Sequence, residues 1–361
     1  MLAIQFKTLR ELDSGLPVRL GPTRYGPSKA FPEINVRISE DLRRSVAFLG
    51  VEDDTPDGAG IRCLGTGFLV AYDQCRYLVT VKHVALGIAD APFRIRLNRK
   101  DGGSDNVDID VGDVRWFSHP DPDVDLTVIP FQFDLKAAGY DVLYLAGIEE
   151  RPPGVLGYDC GDLTYTIGLF RLLSGKKRNL PVVHSGNIAL LPSDEKIPVQ
   201  DWEDARRTRH IEGYLVQSES IEGLSGAPCF ARQDIEITDV PTKQGDTAVL
   251  IPRKNVGFLG IWQGAWDARA DEARIASVGR ELRVPVGMGI VVPAYRLMEI
   301  FDMAELKEDR ESLKKLWKLR DAASLDSVPV SQVDDANPNH LEDFTRLVDV
   351  AARKLPRGDQ T

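Results

Sequence analysis

Short apolar runs recur along most of this chain and constrain its fold more than any other feature. Runs of about five to eight residues are separated by Gly, Pro, Asp and Asn. The first series covers 45–50, 63–71, 76–81, 92–97, 107–116 and 125–131. The second covers 155–159, 163–170, 181–190, 211–218, 227–231, 247–263 and 286–292. Short strands at this spacing are typical of antiparallel barrels or sandwiches, so we predict a mostly β fold.

The two strand series are separated by residues 134–154, where the pattern lapses and Arg151-Pro152-Pro153-Gly154 is typical of a linker. The chain has 361 residues, of which 43% are hydrophobic, enough for two modest cores. We therefore predict two antiparallel β-barrels that face each other across a cleft. The predicted boundaries are 1–44 for an N-terminal extension, 45–150 and 151–293 for the barrels, and 294–361 for C-terminal helices and a tail.

The period becomes helical after Pro293, and residues 295–320 form an amphipathic pattern. A linker is predicted over 321–338, and Asn339 is a candidate cap for a short final helix. We expect residues 301–361 to act in regulation or partner binding; the alternative is that both helices simply dock on the second barrel. In the N-terminal extension, Ser39 is expected to open one helical turn.

Composition excludes several classes of function. The net charge of −10 argues against non-specific nucleic-acid binding, which needs Lys and Arg to neutralise phosphates. No apolar run approaches the roughly 18 residues of a membrane helix, and the N-terminus lacks the pattern of a signal peptide. The cysteines show no metal-ligand spacing, so we interpret them as reduced thiols of a cytoplasmic protein without a metal. They are Cys63, Cys75, Cys160 and Cys229.

A serine between glycines, in Glu222-Gly223-Leu224-Ser225-Gly226, is a candidate nucleophile turn. A serine hydroxyl needs a base to take its proton and backbone donors aimed at the oxyanion that forms. Gly223 lacks the Cβ that would block a sharp turn, so the N–H groups of Gly223 and Ser225 could face one point. The alternative is an ordinary turn between strands, because this motif alone is weak evidence.

Two segments upstream of the serine contain candidates for the base and for the acid that orients it. Gly65-Thr66-Gly67 begins a hairpin that leads to His83, with its turn expected at Asp73-Gln74. Asp125 opens the apolar run Leu126-Thr127-Val128-Ile129. Together with the serine turn, in the order His, Asp, Ser, these blocks resemble the trypsin-like (chymotrypsin-fold) serine peptidases, and most closely their bacterial, disulfide-free members. The resemblance covers roughly residues 45 to 300. It implies two barrels and no cofactor.

The resemblance also implies a role for each residue of the site. His83 would be the general base, Asp125 would orient it, and Ser225 would be the nucleophile, with the N–H groups of Gly223 and Ser225 as the oxyanion hole. Alternatively, His83 is an inert histidine at a strand end. Asp121 and Asp123 compete with Asp125, but they fit a solvated turn better. We interpret the other histidines as structural residues or surface residues; they are His119, His184, His210 and His340.

Substrate binding is predicted on two segments. The resemblance places Glu219, six residues before the nucleophile, at the base of the pocket for the side chain that precedes the cut, where a carboxylate would favour Arg or Lys. Alternatively, Glu219 faces solvent, pairs with Arg207 or Arg209, or fills the pocket. The opposite wall would contain Gln263 and Gly264, with Gly264 leaving room for substrate. Leu224 stands where many secreted relatives have the Asp used in zymogen activation, which argues against that route.

These features predict a serine endopeptidase that acts on protein or peptide substrates without nucleic acid or a membrane. The alternative is a trypsin-like binding module that has lost catalysis. An esterase of the α/β-hydrolase type is disfavoured, because it needs Gly-x-Ser-x-Gly and the order Ser, Asp, His. An intracellular protease must be restrained, which predicts a regulatory protein partner or a narrow specificity.

Overall fold

The computed structural model describes residues 38–53, 60–88, 93–109, 114–148, 158–193, 195–201, 207–219, 221–242, 245–269 and 283–325. Most of the predicted N-terminal extension and the predicted final helix after Asn339 lie outside these residues. The described residues form a mostly β fold with few helices, which confirms the predicted class. The first helix, α1 (Glu40–Arg44), begins where predicted, and the Ser39 hydroxyl accepts a hydrogen bond from the Asp41 N–H at 3.2 Å.

The first strand series forms a seven-stranded antiparallel sheet. Its strands are β1 (Val46–Glu52), β2 (Ile61–Tyr72), β3 (Cys75–Thr80), β4 (Phe93–Asn98), β5 (Ser104–Ile109), β6 (Phe117–Ser118) and β7 (Thr127–Pro130). Their order is β5-β4-β1-β2-β3-β7-β6, so the described strands form an open sheet, and a closed first barrel is not shown. The predicted turn at Asp73 and Gln74 is confirmed: both have positive φ, as in the two-residue hairpins that match strand twist.

The second strand series forms a closed six-stranded barrel, as predicted. It contains β8 (Leu163–Gly168), β9 (Val182–Leu190), β12 (Tyr214–Gln217), β13 (Pro228–Thr242), β14 (Gly245–Arg269) and β15 (Arg283–Pro293). The strands follow the order β12-β15-β14-β13-β8-β9, and β12 pairs with β9 to close the ring. A separate two-stranded sheet contains β10 (Ile197–Gln200) and β11 (Thr208–Ile211).

The largest buried cluster of the described residues spans the sheet and part of the barrel, and two smaller clusters lie within the barrel and beside the β10–β11 sheet. Phe68 of β2 contacts Phe258 of β14, with ring centroids 5.7 Å apart, and Phe258 contacts Phe230 of β13 at 5.8 Å. Ile167 and Ile261 of the barrel belong to the same buried cluster. Burying a side chain of this size stabilises a fold by about 1.5–3 kcal/mol, so these contacts hold the two strand systems together.

Two helices follow the last strand, α3 (Ala294–Phe301) and α4 (Ala304–Leu325), where the sequence predicted one amphipathic segment and a linker from residue 321. Phe301 of α3 packs on Tyr72 and Tyr77, with ring centroids 4.6 and 4.7 Å away. The buried Arg310 guanidinium of α4 donates to the Phe301 carbonyl at 2.6 Å and lies 3.4 Å from Asp73. These contacts place α4 on the β2–β3 hairpin of the first sheet, so a separate helical appendage is not shown.

The remaining helical segments are short: α2 (Lys82–Leu86) follows β3, and a 3₁₀ helix covers Arg171–Leu173. None of the helices in the described part of the chain has the length and apolar character needed to cross a membrane.

Candidate active site

His83 and Asp125 lie at the same edge of the first sheet because of strand pairing. Thr80, near the end of β3, is paired with Thr127 at the start of β7. His83 follows Thr80 on α2, and Asp125 precedes Thr127, so both residues extend beyond the same end of this strand pair. The sheet therefore brings together two residues that are distant in sequence.

Asp125 binds His83 through both carboxylate oxygens. Its Oδ2 lies 2.6 Å from His83 Nδ1, and its Oδ1 accepts a hydrogen bond from the His83 backbone N–H at 3.1 Å. The Asp125 side chain is fully buried, whereas that of His83 is 30% exposed. Because a carboxylate only accepts, it fixes the proton of neutral imidazole on Nδ1 and leaves the Nε2 lone pair available as a base.

The loop that carries Asp125 is fastened by its neighbours. Lys82 Nζ donates to the carbonyls of His119 and Asp121 at 2.9 and 3.1 Å. The buried His119 accepts the Asp121 N–H on Nδ1, and its Nε2 lies 2.5 Å from Glu299 of α3. Asp121 Oδ1 accepts the Asp123 N–H at 2.9 Å, so Asp121 shapes the turn while Asp125 contacts the imidazole.

Ser225 lies on a turn of the barrel that is hydrogen-bonded to Thr66 of β2, in the seven-stranded sheet. The Thr66 N–H donates to the Ser225 carbonyl at 2.9 Å, and the Thr66 hydroxyl donates to the Gly223 carbonyl at 2.7 Å. The same hydroxyl accepts from the Leu169 N–H at 2.9 Å, and Thr80 Oγ1 donates to the Thr66 carbonyl at 2.8 Å. The buried Thr66 thus ties three backbone groups of the barrel to the sheet.

Two glycines in this turn have positive φ: +104° at Gly223 and +86° at Gly226. A Cβ on Gly226 would approach the Thr66 carbonyl oxygen to 2.1 Å and Thr80 Oγ1 to 2.4 Å. Both the backbone conformation and the close approach therefore require glycine next to Ser225.

The Glu222–Gly223 peptide has a fixed orientation. Its carbonyl accepts from the Arg171 N–H at 3.0 Å, and the side chains of Arg171 and Glu222 are also paired at 3.0 Å. In a trans peptide the N–H points away from the carbonyl, so the Gly223 N–H points away from Arg171. Within the described part of the chain, neither this N–H nor that of Ser225 donates to a protein acceptor. Both donors are therefore available to a ligand.

His83, Asp125 and Ser225 line a single cavity of about 220 Å³. Its other walls are residues 263–266 of β14, Ile290 of β15, and Val199 and Gln200 of β10. The structure thus brings the predicted residues Gln263 and Gly264 together with the three candidate catalytic residues. Glu219 is exposed after β12 and is not part of this lining, so its role in basic specificity stays a prediction.

The four cysteines are free, and three of them are buried. Burial raises the pKa of Cys63 and Cys75 to about 11 and that of Cys229 to about 12. These three therefore stay protonated at neutral pH, which makes them poor nucleophiles. Among the described residues, no group of three or more His, Cys, Asp or Glu side chains could hold a metal ion.

Sequence reasoning missed the roles of Thr66, Lys82 and β10. Thr66 stands between two glycines of a recognised block, but its hydroxyl bonds join residues more than a hundred positions apart. In β10 the alternation of Ile197 and Val199 was a usable signal, and Pro198 between them obscured it because proline is disfavoured in strands.

The Thr66 bonds give a stability prediction. Thr66→Val keeps the shape of the side chain but leaves the Gly223 carbonyl and the Leu169 N–H without their hydroxyl partner. An unsatisfied buried group costs about 1–3 kcal/mol, so we expect the free energy of unfolding in urea to fall by about 2–4 kcal/mol. Thr66→Ser keeps the hydroxyl and should lose less than about 1.5 kcal/mol. Equal losses in the two variants would contradict this role of the hydroxyl.

Comparison with known proteins finds only distant structural likenesses. No family model matches the sequence, and no curated protein matches it. Among solved structures, the active form of the Rv3671c protease from M. tuberculosis is 15% identical, with a TM-score of 0.39, over 72% of this chain and 80% of that chain. Its inactive form is 14% identical, with a TM-score of 0.37, over 72% of this chain and 88% of that chain. Likenesses this distant assign neither a family nor an activity to this chain.

Proposed function

We propose that this protein is a serine endopeptidase of the trypsin-like type that hydrolyses peptide bonds through an acyl-enzyme on Ser225. The observation that carries the proposal is the buried, two-point contact of Asp125 with His83 in a cavity that Ser225 also lines. A histidine held by a buried carboxylate, in the same cavity as a serine, supports the proposal because a serine hydroxyl needs such a base to become a nucleophile at neutral pH.

In the proposed reaction, Ser225 Oγ attacks the scissile carbonyl carbon while His83 Nε2 takes the hydroxyl proton. The carbonyl oxygen becomes an oxyanion that accepts the N–H groups of Gly223 and Ser225. When the C–N bond breaks, His83 gives its proton to the leaving amine. Water then attacks the acyl-enzyme by the same route, releasing the acid and restoring Ser225. Asp125 stays ionised and stabilises the imidazolium.

The edge of β14 supports a binding mode for an extended substrate. Up to Ile261, β14 pairs with β13, but in the described chain residues 264–266 pair with β15 alone. Their other edge borders the cavity, where a peptide can add as a further strand. Gln263 and Gly264 would then contact the substrate, and an added Cβ on Gly264 would meet no atom within 4 Å.

The proposal includes the finer architecture predicted from the sequence. The seven-stranded sheet would correspond to the first of two barrels, within 45–150, and the closed barrel to the second, within 151–293. Within the predicted C-terminal part, 294–361, residues 301–361 would act in regulation or partner binding. A protein or peptide substrate, a regulatory protein partner and a cytoplasmic location remain predictions, and the mechanism requires no metal or organic cofactor.

Labelling with a fluorophosphonate tests the proposal directly, because this probe forms a covalent bond with an activated serine. We expect one label per folded protein, which peptide mass spectrometry locates on Ser225, and no label on urea-denatured protein. Absence of labelling would support the inactive binding module instead. A label on another serine would reject the assignment of Ser225.

A further inference from the structure

The orientation of the Glu222–Gly223 peptide decides whether the proposed oxyanion hole is formed. Its carbonyl faces the Arg171 N–H, so its own N–H lies on the opposite side, and a flip of the peptide would exchange the two groups. Gly223 does not select between these orientations, because glycine adopts positive and negative φ about equally readily. A contact from outside the turn is therefore needed to hold the peptide.

The backbone N–H of Arg171 supplies this contact. Within the described part of the chain it makes the only hydrogen bond to the Glu222–Gly223 peptide, at 3.0 Å to the Glu222 carbonyl. The Gly223 carbonyl belongs to the next peptide, which the Thr66 hydroxyl holds separately. The side chains of Arg171 and Glu222 also pair, but they are 42% and 75% exposed, and exposed ion pairs contribute little. The orientation therefore depends on the backbone bond.

The loop that carries this N–H is fastened on both sides of Arg171. It covers residues 169–181, between β8 and β9. At its start, the Leu169 N–H donates to the Thr66 hydroxyl at 2.9 Å. Further along, the buried Arg96 guanidinium of β4 donates to two carbonyls of the loop at 2.6 and 2.9 Å. The seven-stranded sheet thus fixes the position of the Arg171 N–H.

We propose that Arg171 is a positioning residue, whose backbone N–H keeps the Glu222–Gly223 peptide in the orientation that the oxyanion hole requires. The inference rests on the proposed peptidase function and deepens it. It makes the reactivity of Ser225 depend on the conformation of the β8–β9 loop. Displacement of this loop would switch the site off without a change in any catalytic residue.

Arg171→Pro removes this N–H and fits the local backbone. Phe170 is extended, with φ −109° and ψ 110°, the conformation that a residue before proline prefers. Residue 171 is the first of the 3₁₀ helix, where the fixed φ of proline fits. Arg171→Gln is the matched control, because it removes the charge but keeps the N–H and the first side-chain carbons. The two variants therefore separate the backbone bond from the ion pair.

The measurement is the second-order rate constant for fluorophosphonate labelling, since the phosphoryl oxygen of this probe would accept the same two N–H groups. Loss of one oxyanion donor costs about 10²–10³-fold in rate, so with a partly flipped peptide we expect Arg171→Pro to label about 10–100-fold more slowly. Arg171→Gln should stay within about threefold of wild type.

Two further readouts separate positioning from general damage to the fold. Labelling of Arg171→Pro should still reach one label per protein, whereas misfolded molecules would leave a fraction unlabelled. The pH at which the rate is half-maximal should be unchanged, because His83 and Asp125 keep their contact. For casein hydrolysis, kcat should fall while KM stays within about twofold, since the donor acts mainly in the transition state.

Hydrogen exchange of the wild-type protein tests the same bond if Arg171→Pro does not fold. An oxyanion bound to the Gly223 N–H favours the orientation that the Arg171 N–H also favours, and such coupling is reciprocal. Phosphonylation of Ser225 should therefore slow exchange of the Arg171 amide by about fivefold or more. Unchanged exchange would overturn the inference.

The outcomes separate this inference from the proposed function. If Ser225 is labelled in the wild-type protein and Arg171→Pro reacts equally fast, the positioning role is wrong and the peptidase proposal stands. Equal losses in Arg171→Pro and Arg171→Gln would also overturn the inference, because the ion pair would then hold the turn. Incomplete labelling or a shifted pH dependence in Arg171→Pro would reject it as well. If the wild-type protein is not labelled, the peptidase proposal fails and this inference fails with it.

Discussion

Ser225→Ala should reduce hydrolysis of a fluorescently labelled protein such as casein to the background of the assay. The substitution removes the only atom that forms the acyl-enzyme bond in the proposed mechanism. Loss of a nucleophilic serine costs on the order of a millionfold in kcat in enzymes that use this chemistry. The residual rate would come from substrate binding and the oxyanion donors alone.

The same substitution should leave the fold intact. The contacts that hold the turn use the backbone of Ser225, not its hydroxyl: the carbonyl accepts from Thr66, and the neighbouring Gly226 N–H donates to the Trp262 carbonyl at 2.9 Å. We therefore expect the free energy of unfolding to change by less than about 1 kcal/mol. Ser193→Ala, at an exposed serine outside the cavity, is the matched control and should hydrolyse at the wild-type rate. Wild-type hydrolysis by Ser225→Ala would reject the proposed nucleophile.

The sequence predicted well the strands in which apolar and polar residues alternate and the strands that are apolar throughout. The β2–β3 hairpin was located with its turn residues, since Asp73 and Gln74 interrupt two continuous apolar runs. Such runs carry a strong signal because both ends are marked by polar turn residues.

Edge and short strands were predicted less well, for physical reasons. The strand predicted over 107–116 is β5 (Ser104–Ile109), which begins three residues earlier, in a polar segment. β5 lies at the edge of its sheet, where polar side chains are tolerated because one side faces solvent. β6 was missed because a strand of two residues is too short to show a period, and β10 was missed because Pro198 interrupts its alternation of apolar residues. Likewise, the break at Asp302 between α3 and α4 is hidden in a continuous amphipathic pattern.

For the candidate site, the sequence indicated which residues carry the chemistry but not what holds them. His83 and Asp125 could be selected because each adjoins an apolar strand, and the structure brings them into contact. The support from Thr66 could not be predicted, because it depends on pairing between the sheet and the barrel across 157 positions.

The second large effect is expected at Asp125. Asp125 accepts two hydrogen bonds from His83, one from Nδ1 and one from the backbone N–H. In Asp125→Asn one acceptor oxygen becomes an NH₂ donor, so one of these two bonds is lost. If the NH₂ group faces Nδ1, the imidazole proton moves to Nε2, and the base can no longer take the proton of Ser225. The charge that stabilises the imidazolium is lost in either orientation.

We therefore expect Asp125→Asn to lower kcat for peptide hydrolysis by about 10⁴-fold, less than the loss at Ser225 because the nucleophile and the oxyanion donors remain. Asp123→Asn, in the same loop, is the matched control, since its N–H rather than its carboxylate makes the turn contact, and its rate should stay within about twofold of wild type. Circular dichroism of both variants would verify that the loop substitutions leave the β fold unchanged. Equal losses in the two variants would mean that the loop needs its overall charge, and that Asp125 has no specific role in orienting His83.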